Sequence, residues 1–404
     1  MQSTSSSSVR PSSLSRLPVA RLAFRPFFLL AALYSVAAMV VWLAFWHGDI
    51  LLRPVGGLMF WHQHEMLFGF AAAVVAGFLL TAVQNWTGLP SLRGGPLLAL
   101  VALWLAGRAL MAFPLGLPEW LPMLVDLAFL PLVAGVMARL VIAAKRWRNL
   151  IFLPALGLLT LANLAMHLGV LTGDAELIRQ AAYLAVLLIT LLMVVVGGRV
   201  IAMFTANRLG LTRRPAIPAL EAASLGSVLA VVLAQGLAVL GVALPGALFA
   251  TLLGLAALAN ALRLARWGGQ HSGSEPLLWG LHGSYAFIPV GLAMWALAAL
   301  GVFRAELAVH AMTIGGMGTM MLAMMSRVSL GHTARPIRTL PGIGVALGLM
   351  LAAAVLRSPV LALVPEITHW TYNLGIIFWC LAYAIFLFHY TGPLLSARAD
   401  GKDG

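Results

Sequence analysis

The chain has 404 residues, 62% of them hydrophobic and 9% charged, with a mean hydropathy of +0.98. A soluble globule carries about 25% charged residues, so the composition excludes one. It indicates an integral membrane protein, helical rather than barrel, because the apolar runs are continuous and do not alternate. The net charge of +13 does not point to nucleic acid, because most basic residues lie in short loops where membrane topology accounts for them.

Residues 1–25 are rich in Ser and Arg. They lack the apolar core and small-residue cleavage site of a signal peptide, and a disordered cytoplasmic tail is expected there. A span takes about 20 apolar residues. The sequence predicts twelve, over roughly 26–46, 62–84, 95–113, 120–142, 149–170, 180–204, 217–243, 246–266, 277–300, 306–330, 341–361 and 367–391. Together they form a single all-α transmembrane domain over 26–394, followed by a second cytoplasmic tail over 395–404. The gaps carry turn residues, as in Pro114-Leu115-Gly116-Leu117-Pro118. Spans seven and eight are separated only by Leu244-Pro245.

Basic residues set the orientation. With both chain ends cytoplasmic, nineteen Lys and Arg fall on the inner side. Only Arg53, Arg179, Arg304 and Arg357 fall on the outer side.

Trp61-His62-Gln63-His64-Glu65-Met66 opens the second predicted span. Ionisable groups are costly in a bilayer and are functional by default there. The topology places His62, His64, His167, His310, His369 and His47 at the outer level, and His271, His282, His332 and His389 at the inner level. Imidazole suits copper, iron and haem. A bis-histidine haem takes one imidazole from each of two facing helices. Residues two apart on a helix point to roughly opposite sides, so His62 and His64 are expected to serve two adjacent centres, or one as ligand and the other as its support. Glu65 is the candidate catalytic proton donor; ligation or fixing of an imidazole tautomer are its other readings. The bland alternative is a set of interfacial caps wetted by headgroup water.

Weaker signals surround this motif. Met317, Met321 and Met325 form a stripe that suits Cu(I) or ordinary packing. Gly315, Gly316 and Gly318 allow close helix contact or room for a flat macrocycle. Arg108 and Asp126 read as an intramembrane ion pair or a proton route. Arg199 follows two glycines and reads either as a propionate-binding fork or as a side chain snorkelling to the interface. Cys380, the single cysteine, excludes a disulfide framework. There is no phosphate-cradling loop, no hydrolase elbow and no covalent haem motif.

Five stretches together resemble the NnrS family of polytopic bacterial membrane proteins. They are Phe24-Arg25-Pro26-Phe27-Phe28, WHQHEMLFGF from Trp61, GFLLTAVQNWTG from Gly77, GGRVIAMFTANR from Gly197, and HAMTIGGMGTMMLAMMSRVSLGHTARP from His310. The resemblance spans nearly the whole chain apart from its tails. It implies about twelve spans, bound haem b and copper, and a role in the response to nitric oxide. It bears on His62, His64, Glu65, Arg199, His310, Arg327 and His332, and also on His167 and His282. His47, His271 and His389 are not expected as ligands.

The expected protein is therefore a haem- and copper-containing inner-membrane protein of nitric oxide metabolism or nitrosative-stress defence. Its outer metal centre would draw on some of His62, His64, His167, His310 and His369, with His282 and His332 as further ligands and Arg199 and Arg327 as cofactor-binding groups. Nitric oxide would reach it through lipid. Coupling two nitric oxide molecules takes two electrons and two protons, the electrons from quinol or a periplasmic carrier. The alternatives are a metal-binding sensor or metal-homeostasis protein that turns nothing over, and a small-molecule transporter.

Overall fold

The computed structural model describes residues 17–49, 52–402 and 404. Most of the tail expected over 1–25 lies outside the described residues. Among the described residues there are twelve helices long and apolar enough to cross a membrane, and no strand. They are α1 (Phe24–Trp46), α2 (Gly57–Thr87), α3 (Gly95–Ala112), α4 (Trp120–Ala143), α5 (Trp147–Thr172) and α6 (Ala175–Leu209). The second half comprises α7 (Pro218–Val239), α8 (Gly246–Leu264), α9 (Pro276–Ala299), α10 (Ala305–His332), α11 (Ile343–Leu363) and α12 (Pro365–Leu395).

Sequence-neighbouring helices mostly pack as antiparallel pairs, as short connections require. α12 returns to pack along α1 and closes the bundle. α2, α6 and α10 form its interior: 83%, 72% and 72% of their apolar windows are buried, against 33% to 56% for the others. The second and tenth spans, which carry the histidine-rich motifs, are thus core helices.

Three helices contain a π turn: Glu65–Ala71 in α2, Ala311–Gly318 in α10 and Leu356–Val360 in α11. Such turns re-aim the side chains around them and recur at functional sites. The turn in α11 holds Pro359, whose missing N–H would break a regular helix ladder. α2 also starts earlier than the hydropathy pattern indicates, at Gly57 after a left-handed Gly56. The WHQHEM motif therefore sits inside the helix and not at its head.

Arg25, at the start of α1 and fully buried, clamps the end of α12 and the segment that follows it. Its Nη1 donates to the carbonyls of Pro393 (3.4 Å), Leu394 (2.9 Å) and Ser396 (2.7 Å), and its Nη2 to that of Gly404 (2.8 Å). These include carbonyls freed at the C-terminus of α12, which no intrahelical donor can reach. The segment after α12 docks on the end of α10, where Ala399 N donates to Thr333 O at 3.0 Å and Arg398 to His332 O at 3.1 Å. Beyond the spans, hydrogen bonding from Arg398 holds the Asp400 carboxyl below the ordinary carboxylate range.

Arg25→Ala is expected to lose about 3 kcal/mol, since it strands several buried carbonyls. Cys380 is half-buried and the only thiol, so its alkylation on heating reports the unfolding temperature. An unchanged melting profile would remove the clamp from the account.

Candidate functional site

Two sites lie back to back on α2. His64 belongs to the first, a closed polar cluster between α1, α2, α3, α4 and α5. His64 and Glu65 are fully buried, and Arg108, Asp126, Asn163 and His167 nearly so. Arg108 Nη1 donates to Glu65 Oε1 at 2.7 Å and Oε2 at 2.6 Å, and its Nη2 donates to Asp126 Oδ1. The Tyr34 hydroxyl donates to Glu65 Oε2. Asn163 Nδ2 donates to Asp126 Oδ2 at 2.7 Å.

His64 bridges the two carboxylates. Its Nδ1 lies 2.9 Å from Glu65 Oε1, and its Nε2 lies 3.1 Å from Asp126 Oδ2 and 2.9 Å from Asn163 Oδ1. His167 Nε2 lies 3.2 Å from the same Asp126 oxygen. A neutral His64 would set one bare nitrogen against a carboxylate oxygen. A proton or a metal ion there removes the repulsion. His64, Asp126 and His167 each offer a ligand atom, all within 4.8 Å of one another. Two imidazole nitrogens and one carboxylate oxygen form a donor set that suits a divalent first-row metal.

Gly69 makes the cluster possible. A Cβ there would lie 2.7 Å from Glu65 Oε2, 2.8 Å from the Tyr34 ring and 3.1 Å from Arg108 Nη1.

His62 turns the other way, as the helical period requires. It stacks on Trp42 with ring centroids 4.2 Å apart and lines a cavity of about 830 Å³ between α1, α2, α6, α10, α11 and α12. The wall is largely apolar and aromatic, and it includes Trp42, Phe70, Tyr183, Met317, Tyr372 and Trp379. His310 of α10 and Arg357 of α11 line the same cavity. The His62 Nδ1 is buried and has no hydrogen-bond partner. The His310 Nδ1 lies 2.6 Å from the Glu306 carbonyl, so it carries the proton and donates. The lone pair is then on Nε2, which accepts from Arg357 Nη2 at 3.2 Å.

Residues 18–398 match the description of the NnrS protein family. The chain belongs to the NnrS family. Membership fits a protein of the nitric oxide response and a metal-binding role, and the His64–Asp126–His167 group is consistent with the latter. No curated protein matches the chain.

The five outer-level histidines from which ligands were expected are distributed over three places in this NnrS-family protein. His62 and His310 share the cavity, and His64 and His167 share the closed cluster. His369 lies apart on an exposed edge, where it accepts from Asn373 Nδ2 at 3.0 Å and meets the His47 ring edge-on. His282 bonds Thr205 Oγ1 at 2.9 Å, and His332 packs on Phe24 with ring centroids 5.5 Å apart. Neither approaches the two sites. Arg199 is exposed and lies 3.5 Å from Asn149 Oδ1. Arg327 covers the Phe204 ring, 3.9 Å from its centroid. Arg108 and Asp126 lie in contact as an ion pair, and Glu65 joins them instead of lining the cavity. Gly315 packs on Phe287, Gly316 on Met193 and Gly318 on Trp379, which is the close-contact reading of that stripe. Met317 alone of its methionine stripe reaches the cavity wall.

Tyr34 and Arg357 are the site residues the sequence reading missed. Tyr34 gives no signal in an apolar helix. Arg357-Ser358-Pro359 inside an apolar run does give one.

Asp126→Asn leaves part of the Arg108 charge unpaired, and the expected loss is about 3–5 kcal/mol. Gly69→Ala overpacks the same contact and should cost about 1–3 kcal/mol. Both are read by the Cys380 melting profile. Wild-type melting in both variants would show that the cluster does not hold the fold.

Proposed function

We propose that this NnrS-family chain is a haem b- and copper-holding protein of the bacterial inner membrane that binds nitric oxide in the cavity between α2 and α10. The observation that carries this reading is the pair His62 and His310, two imidazoles from two core helices on one apolar chamber. The residues fit such a group. The His62 Nδ1 is buried and unpaired, and the His310 ring is fixed by the Glu306 carbonyl, its Nε2 accepting from Arg357, which also lines the chamber. Ligating histidines carry this kind of carbonyl support. Haem would be held by His62 and His310, and copper by His64, Asp126 and His167.

When bound, the haem iron would supply a one-electron centre with affinity for nitric oxide. The chain's own residues shape the chamber. Trp42 holds the His62 ring by stacking. The apolar wall admits a small apolar gas and disfavours bulk water. Arg108 and Tyr34 hold Glu65, and Glu65 in turn holds His64.

One observation favours binding without turnover as the second reading. Among the described residues lining the cavity the only carboxylate is Glu306, which is paired with Arg304. Glu65, the candidate proton donor, would have to act from behind α2 through His64. Quinol or a periplasmic carrier is the proposed electron source if turnover occurs. Steady nitrous oxide release from purified, reductant-fed protein would decide for catalysis over sensing or scavenging.

His62→Ala and His310→Ala are each expected to lower retained haem at least ten-fold while keeping the wild-type Cys380 melting profile. His369→Ala should leave haem unchanged. Full haem spectra in both cavity variants would overturn the ligand assignment.

A further inference from the structure

Arg357 is the least compensated charge in the chamber. It sits in the π turn of α11 and is only 6% exposed. A guanidinium stays charged in any protein environment, and a buried charge calls for a partner. Arg108 has two carboxylates and Arg263 has Glu221. No carboxylate pairs with Arg357 among the described residues. Its Nη1 is buried with no hydrogen-bond partner. Its Nη2 is spent on the neutral His310 ring. The face of the guanidinium lies 3.4 Å from the centroid of the Tyr372 ring, a contact that offsets part of the burial but supplies no counter-charge.

The position is also built. Gly375 lets the Arg357 stem cross α12, since a Cβ there would fall 2.7 Å from Arg357 Cγ. The chamber as a whole is cationic: its lining carries Arg179, Arg304 and Arg357 against Glu306 alone. Arg179 is itself paired with Glu176, and Arg304 with Glu306. The uncancelled charge is therefore that of Arg357.

We propose that Arg357 is an anion-binding residue of this chamber, and that its occupant presents a planar monoanionic oxygen group, a carboxylate or a small oxyanion, to Arg357 Nη1 beside His310. The inference deepens the reading of the cavity as the ligand chamber and rests on it. Two sources share this chemistry: a free anion, or a carboxylate borne by a retained organic group. Planar O–X–O groups match the guanidinium fork better than spherical ions do. Displacing Nη2 from His310 would open the whole fork to one such group.

The test uses the full-length protein in lipid nanodiscs, as wild type, Arg357→Gln and Arg357→Lys. In one arm, calorimetry follows titration with sodium nitrite and sodium formate, with sodium chloride as the spherical control. In the other, native mass spectrometry measures the fraction of protein that retains a carboxylate-bearing organic group. A free-anion site predicts that nitrite or formate binds wild type and binds Arg357→Gln at least ten-fold more weakly. A retained group predicts no small-anion titration, and at least ten-fold lower occupancy in Arg357→Gln. Arg357→Lys keeps the charge but loses the fork, and should fall between in either arm. If Arg357→Gln fails to fold, Arg357→Lys decides against wild type. Folded variants that match wild type in both arms overturn the proposal, as does a wild type that takes no anion in either. In the free-anion arm, metal content in the same variants separates the two readings: loss of anion binding with metal retained supports the role of Arg357. His62 and His310 variants that keep their metal would sink the chamber's ligand assignment alone.

Discussion

The structure turns on one buried electrostatic arrangement. Arg108 is clamped between Glu65 and Asp126, and His64 bridges the same two carboxylates. In a bilayer no water can rescue a group left out of such a network. The cluster therefore fixes α2 against α3, α4 and α5 in rotation as well as in depth. A rotation of α2 that freed His64 would expose bare carboxylates to hydrocarbon. Because His64 is held on that side, His62 must face the other.

The π turns and small residues serve this constraint. The turn at Glu65–Ala71 begins at the carboxylate itself, and Gly69 within it leaves the space that Tyr34 and Arg108 occupy. A second turn follows His310 directly, and a third carries Arg357. All three irregular segments therefore adjoin a polar side chain of the two sites. Regular helix spacing would re-aim those side chains by a large part of a turn. The chamber and the closed cluster are separated by the thickness of one helix, so a change in either can bias the other through α2.

Much of this was legible in the sequence, for identifiable reasons. Hydropathy reports spans directly, because the bilayer demands continuous apolar runs. The divergence of His62 and His64 follows from helical period alone, and so does the expectation of two centres, or of one ligand and its support. Arg108 and Asp126 were visible as costly charges at matching depth. Membership of the NnrS family was carried by five separated stretches. Other features could not be read. The start of α2 at Gly57 was hidden by the Gly56-Gly57 break before it. The grouping of histidines into His62 with His310 and His64 with His167 depends on which helices neighbour α2, and hydropathy is silent on that. Arg357 was counted with the outer topological charges, yet the π turn around Pro359 draws it into the core. Tyr34 is a polar tip on an apolar body, unremarkable until Glu65 is placed beside it.

The central claim is that the two histidines of WHQHEM serve two different chambers. An experimental density map of the protein purified from its native membrane tests this most directly. The account predicts density for a bound group in the cavity that bridges His62 and His310, with His64 still held between Glu65 and Asp126 on the opposite side of α2. A cavity filled only by lipid, or a single centre that His62 and His64 ligate together, would contradict it.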